Sequence, residues 1–263
     1  MKLKIFQIDA FTDTVFKGNY AAVILLDEWL DKKLMQQIAT ENNLSETAFI
    51  KNTTDNNYEI RWFSPLNEID FCGHATLASA YVLFKQNILL DEIVFWAEAV
   101  GSLNVTKAKN DYIKMIFPNR KPKELATIPE ELTKGLSIRP QEVLLSQQAY
   151  FVVYPNENDV HDVKTDLEEL KKLAPYDVVV TACGSKYDFI SRYFWPANGG
   201  DEDPVTGSIH TGLAPLWKEK LNKTNLVAYQ ASKRGGVLHC EVNDDTVTLL
   251  GKAVQYLEGY IEI

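Results

Sequence analysis

The sequence repeats itself, and that limits its folds more than any other feature. In the first half, Arg61-Trp62-Phe63-Ser64-Pro65 leads through a short turn to Gly73-His74 and an apolar run ending at Phe84. In the second, Arg192-Tyr193-Phe194-Trp195-Pro196 leads to Gly207-Ser208 and an apolar run ending at Trp217. The offset is 131 from Arg61 to Arg192 and 134 from Gly73 to Gly207, so the second turn has gained three residues. Other blocks keep the same order. The run Leu34 to Glu41 precedes the strand Thr47 to Lys51, as Asp166 to Leu173 precedes Val178 to Ala182. A Gly101 to Phe117 hairpin is echoed by Gly235 to Leu250. Matched blocks in one order at a nearly fixed offset point to a duplicated architecture.

Each half therefore reads as strands, one amphipathic helix, more strands, one apolar helix and a hairpin. The apolar helices, over 74–86 and 208–221, carry Ala, Leu, Val, Phe and Trp on most faces, which marks them as buried rather than laid on a surface. Many short strands about one buried helix predict an α+β fold of two pseudo-symmetric domains, each a mixed barrel-like sheet around a central helix. The break falls where Pro118, Pro122 and Pro129 interrupt a charged stretch. The expected domains are 1–118 and 119–263, with a terminal strand able to cross over, and the expected site is the cleft between them.

Composition removes several functions. Acidic residues outnumber basic ones, 36 to 27, for a net charge of −9, and basic clusters are confined to Lys121–Lys123 and Lys171-Lys172, so no nucleic-acid partner is expected. No apolar run is long enough for a membrane span, and Met1-Lys2-Leu3-Lys4-Ile5 lacks a signal-peptide core. Cys72, Cys183 and Cys240 are odd in number and widely spaced, which suits a reducing, cytoplasmic setting. His74, His161, His210 and His239 show no HxH or HxxxH spacing, so no metal is expected. The GxSxG, GxGxxG and P-loop motifs are absent.

The two apolar helices begin alike, each at a glycine after a turn rich in carboxylates: Glu68 and Asp70, then Asp201, Glu202 and Asp203. Their first polar residues are His74 and Ser208. Unpaired N–H groups and the helix dipole make such ends fit for a carboxylate. Ordinary capping by Thr206 or Asp203, with Gly73 allowing close packing, explains the same spacing. Glu46, between a helix and an apolar strand, is either a solvated turn residue or a single acid/base group. Its duplicate position, taken at an offset of 134, is the apolar Val180. A buried carboxyl there would have a raised pKa suited to proton shuttling. The cysteines read as packing residues, although Cys72 stands at a helix start where a thiolate would be stabilised. The matching place in the second half, Pro204 to Thr206, holds no cysteine.

The segments Asp9-Ala10-Phe11-Thr12, Gly18-Asn19-Tyr20, Asn43-Leu44-Ser45-Glu46-Thr47, Cys72-Gly73-His74-Ala75-Thr76 and Glu202-Asp203-Pro204-Val205-Thr206-Gly207-Ser208 resemble the PhzF-like, phenazine-biosynthesis-like isomerases. They run in order along nearly the whole chain. The resemblance implies the diaminopimelate-epimerase-like fold, no cofactor and a homodimer. It also implies a cofactor-independent isomerase acting on a small carboxylic or amino-acid-like substrate, with Glu46 taking a proton from carbon and returning it. His74 and Asp203 are the implied catalytic partners. Ser45, Gly73, Gly207 and Ser208 are the implied substrate-binding residues, the two glycines through backbone N–H groups. Related epimerases and proline racemases use two cysteines, of which this chain has the counterpart of one. A non-catalytic binding or regulatory member and a Cys72-dependent epimerase are the alternative readings.

Overall fold

The computed structural model describes residues 1–54 and 56–263. The elements begin β1 (Lys2–Ala10), β2 (Asn19–Leu26), α1 (Lys32–Asn42), β3 (Glu46–Thr54), β4 (Asn57–Phe63), β5 (Glu68–Ile69), α2 (Gly73–Gln86), β6 (Glu92–Ala97), β7 (Gly101–Lys107) and β8 (Ile113–Pro118). Then come β9 (Lys123–Glu124), α3 (Glu130–Lys134), β10 (Glu142–Leu145), β11 (Ala149–Val153), α4 (Glu157–Asp162), α5 (Leu167–Lys171) and β12 (Asp177–Cys183). The chain ends with β13 (Phe189–Trp195), β14 (Gly200–Asp203), α6 (His210–Leu221), β15 (Asn225–Gln230), β16 (Gly236–Val242), β17 (Thr246–Gly251) and β18 (Ala253–Glu262). Two compact units result, Met1–Ile116 with Leu250–Ile263, and Phe117–Leu249. The segment 250–263, which a division at 118/119 gives to the second half, lies with the first unit because β18 pairs along the length of β1.

In the first unit the strand order is β18-β1-β2-β3-β4-β6-β7. Its successive pairings are antiparallel, antiparallel, parallel, antiparallel, parallel and antiparallel. The second unit's order, β9-β10-β11-β12-β13-β15-β16, runs through the same six pairing senses. The repeat read from the sequence is thus a repeat of topology.

Helix α2 touches β1, β2, β3, β7 and β18, strands from both ends of the order, so the sheet curls around it. Every residue from Gly73 to Phe84 except Tyr81 is buried. The two hydroxyls inside this apolar surround are satisfied by the helix itself, Thr76 Oγ1 donating to the Cys72 carbonyl and Ser79 Oγ to that of Ala75, both at 2.7 Å. On the other side of the sheet, α1 lays Met35, Ile38 and Ala39 against Ile24, Phe49 and Phe63.

The second unit treats α6 in the same way, with His210 to Trp217 all buried. Pro215 has no N–H to offer the Thr211 carbonyl one turn back. That carbonyl instead accepts from the Arg120 N–H at 3.1 Å. Next to it Gly212 admits the Phe151 ring, whose nearest carbon would lie 2.6 Å from a Cβ at that position. The sequence places the start of this helix at 208, whereas the regular helix starts at His210. Residues 207–209 form a tighter turn, with Thr211 N–H bonded to Ser208 O and Gly212 N–H to Ile209 O. Among the described residues, no helix is long and apolar enough to cross a membrane.

Candidate active site

Within the first unit, three of the singled-out residues meet at one end of the buried helix. Glu46 opens β3, and Cys72 and His74 straddle the first residue of α2. Their exposures are 7%, 6% and 5%. His74 Nε2 lies 2.7 Å from Glu46 Oε2. The oxygen sits off the N–H axis, so this close electrostatic contact leaves Oε2 without an aligned hydrogen bond. On the other edge of the ring, Nδ1 is 3.1 Å from Asn19 Nδ2 and 3.4 Å from Cys72 Sγ. Ser45 reaches the ring at one remove, its hydroxyl donating to Asn19 Oδ1 at 3.0 Å.

Asn19 owes its place to Gly18. That residue has φ +64, and a Cβ there would lie 2.1 Å from the Ala10 carbonyl oxygen. A glycine turn therefore brings the first residue of β2 in opposite the last residue of β1.

Charge follows from this packing. Burial pushes the Cys72 thiol up to about 11, the Glu46 charge pushes the same way, and His74 opposes both. Burial also works against a charged His74, but its neighbours Cys72 and Glu46 outweigh that and hold the imidazole well above the usual histidine range. Since Cys72 is a neutral thiol near neutral pH, the Glu46 carboxylate is the partner that sustains the imidazolium. Glu46, Cys72 and His74 also form a possible metal donor set, their ligand atoms lying within 4.8 Å of one another. A metal would have to displace protons from both the thiol and the ring nitrogen facing Glu46, so the arrangement is better suited to handling protons.

The second unit holds the remaining candidates in two separate networks. Thr206 Oγ1 donates to Asp203 Oδ2, while Gln230 ties the loop by accepting from Thr206 N–H at 2.9 Å and donating to the Asp203 carbonyl at 2.8 Å. Gly207 is buried in the turn before α6, its carbonyl accepting from His210 N–H at 3.1 Å. Ser208 belongs to the other network, Gln148 Nε2 donating to its Oγ at 2.9 Å. The same nitrogen donates to the Tyr193 hydroxyl at 2.9 Å, and Tyr193 in turn donates to Asp177 Oδ2.

Asp177 overturns one sequence reading. Opposite Ala21 in the first unit's parallel pair is Glu46, and opposite Ala149 in the second unit's is Asp177. Phe49 faces Arg61 as Val180 faces Arg192, which gives the same alignment. The counterpart of Glu46 is therefore a buried carboxylate, and Val180 is the counterpart of Phe49. The strands repeat at 131, the offset between the two arginines, whereas the helix starts repeat at 134, so Val180 is displaced by three residues from the true counterpart. Burial raises the pKa of Asp177 against the opposing bonds from Tyr193 and Asn198. Both of its oxygens accept hydrogen bonds, from Tyr193 O–H and, at 2.8 Å, from Asn198 Nδ2, whereas Glu46 Oε2 has the His74 ring 2.7 Å away and no aligned hydrogen bond.

The sequence profile described as phenazine biosynthesis-like protein matches residues 8–259. An uncharacterized isomerase of Pseudomonas aeruginosa is 44% identical over 263 residues, covering 100% of both chains. The crystal structure of a PhzF-family phenazine biosynthesis protein from Enterococcus faecalis superposes with a TM-score of 0.95 at 42% identity, again over 100% of each chain. Similarity in fold alone extends to a hydroxyproline epimerase from Agrobacterium vitis, with a TM-score of 0.62 at 8% identity over 99% of this chain and 92% of that one. The chain belongs to the phenazine biosynthesis-like, or PhzF, family, with relatives named as isomerases and a fold shared with epimerases.

Proposed function

We propose that the protein is a cofactor-independent isomerase that moves a proton between carbons of a small carboxylic or amino-acid-like substrate, with Glu46 as the base. The observation that carries this reading is the buried Glu46 carboxylate beside His74, with one oxygen lacking an aligned donor. That oxygen has a lone pair available for a proton, and its surroundings exclude competing water. In the first step Glu46 takes a proton from carbon and the bonding electrons pass into the adjacent unsaturated or carboxyl group. In the second, Glu46 or His74 returns a proton to a different carbon, so the product is an isomer with no net change in atoms or electrons.

The surrounding groups support that traffic. A neutral His74 ring accepts at Nδ1 from Asn19. A protonated ring is served equally well once the Asn19 amide turns over and Ser45 reverses to accept, so the network tolerates either charge state. The helix start at Gly73, and Gly207 and Ser208 in the second unit, are assigned to the substrate's carboxylate, where fixed N–H and O–H dipoles stabilise the charge that develops. Asp203, held by Thr206, is assigned to orienting the proton that is returned.

A thiol reading has one observation in its favour, the 3.4 Å approach of Cys72 Sγ to His74 Nδ1. Solvent-deuterium incorporation into a panel of small carboxylic and amino acids separates the readings. Exchange is expected to be lost in Glu46→Gln and kept in Cys72→Ala. Exchange that survives Glu46→Gln overturns the proposal, loss confined to Cys72→Ala establishes the thiol mechanism, and exchange in no acid leaves a binding protein.

A further inference from the structure

We infer that Asp177 is a positioning residue: acting through Tyr193 and Gln148, it fixes the Ser208 hydroxyl as an outward hydrogen-bond donor to an anionic ligand. The inference rests on the assignment of Ser208 to ligand binding made above. It begins from proton direction along one chain of side chains. Tyr193 has a single proton, and it goes to Asp177 Oδ2. Its oxygen can then only accept, so Gln148 must present its nitrogen, which it does at 2.9 Å. The other N–H of that amide is directed at Ser208 Oγ, also at 2.9 Å. Ser208 Oγ therefore accepts, and among the described residues no protein acceptor takes its own proton. A carboxylate or other anion is the ligand class that such a hydroxyl suits.

The direction depends on the negative end of the chain. Asn198 donates to Asp177 Oδ1, so both carboxylate oxygens act as acceptors and the charge is anchored. If Asp177 becomes a donor, every bond downstream can reverse: Tyr193 donates to a turned-over Gln148 carbonyl, and Ser208 donates to that same oxygen. The hydroxyl is then spoken for and no longer faces a ligand.

The repeat shows what each half has made of the same four stations. Strand register makes Asp177 the counterpart of Glu46, Tyr193 of Trp62 and Gln148 of Tyr20, and the repeat of the helix starts makes Ser208 the counterpart of His74. In the first unit the carboxylate touches its helix-start partner directly. In the second, the shorter aspartate reaches its partner through two intermediates, which suits orientation rather than proton transfer.

The test uses the full-length protein with Asp177→Asn, Tyr193→Phe, Ser208→Ala and the Asp177→Asn/Ser208→Ala double variant. Melting curves confirm that each folds. The Gln148 side-chain amide signals are followed by nitrogen–proton NMR, and binding of malonate, benzoate, pyruvate and L-proline is measured by titration. In Asp177→Asn and Tyr193→Phe the Gln148 signals should move, and the dissociation constant of any bound acid should rise about tenfold. Ser208→Ala should weaken binding equally, with no further loss in the double variant. For an acid that exchanges deuterium, KM should rise while kcat is retained. Gln148 signals that do not respond to Asp177→Asn overturn the inference, as does unchanged affinity when they do respond. If none of the four acids binds the wild type, the anion-binding assignment of Ser208 fails, and the relay stands or falls on the Gln148 signals alone.

Discussion

Alkylation of Cys72 in the native protein gives the sharpest quantitative check on the site. Its thiol is raised from 9.0 to about 11, chiefly by burial and then by Glu46. That rise lowers the thiolate fraction about 100-fold at any pH below the ordinary thiol value. The remaining thiolate is more nucleophilic, by about tenfold for a Brønsted slope near 0.5. Ionisation alone therefore slows reaction with iodoacetamide by about tenfold, and a side chain only 6% exposed is slowed further by exclusion of the reagent. Cys183, which is exposed, provides a reference inside the same molecule. Peptide mass spectrometry after timed labelling between about pH 7 and 9.5 gives both rates. Cys72 should react at least about tenfold more slowly, and its rate should rise about tenfold per pH unit without levelling. A Cys72 rate equal to that of Cys183, or one that levels off below about pH 8, would reveal a stabilised thiolate and refute the reasoning.

Three other outcomes follow from individual residues. Glu46→Gln should lower deuterium wash-in by about 10²–10⁴, the range for a general base, while far-ultraviolet circular dichroism stays at the wild-type level. His210 is fully buried, with Nδ1 on the Thr206 carbonyl at 2.8 Å and Nε2 unpartnered, and burial depresses its pKa from 6.5 to about 4. The unfolded chain takes up that proton first, so the contribution to stability is complete above the unfolded value and is lost as pH falls from there toward the folded one. This amounts to about 2 kcal/mol between pH 7 and 5. Urea titrations at those two pH values should show it, with a smaller loss in His210→Gln; an equal loss in both proteins excludes His210 as its source. Gly212→Ala should cost about 1–3 kcal/mol in the same titration, because the added methyl meets the Phe151 ring, and a neutral result would mean that the ring has room to move.

Much of this was legible in the sequence because the duplication left matched landmarks. Arg61 and Arg192 mark equivalent strands, and the run from Gly73 to Phe84 is too apolar on all faces to lie anywhere but inside a sheet. The nearness of Glu46 to His74 was implied only by family resemblance, since 28 positions separate them and no local pattern joins them. Asp177 was missed for a concrete reason: insertions shift the repeat offset between elements, so one number cannot align every block. Asn19 stood in a family-like segment but without a role, and Gln148 and Gln230 were silent, because an amide has no sequence signature until its partners surround it. A terminal strand able to cross over was expected, but its partner and register, β18 along β1, depend on pairing between distant segments, which composition and periodicity do not encode.

That last pairing bears on the order of assembly. The second unit is one continuous stretch, Phe117–Leu249, whereas the first waits for Leu250–Ile263 to complete its sheet. During synthesis from the N-terminus, the later-encoded unit is finished first, and the earlier one stands with the β1 edge uncovered until the final segment emerges. Five residues of that strand, Leu3, Ile5, Phe6, Ile8 and Ala10, are apolar, and an open edge of this kind recruits other strands. A chain cut after Leu249 would therefore carry a complete second unit and a first unit with an open strand edge, and should aggregate more readily than the full-length protein.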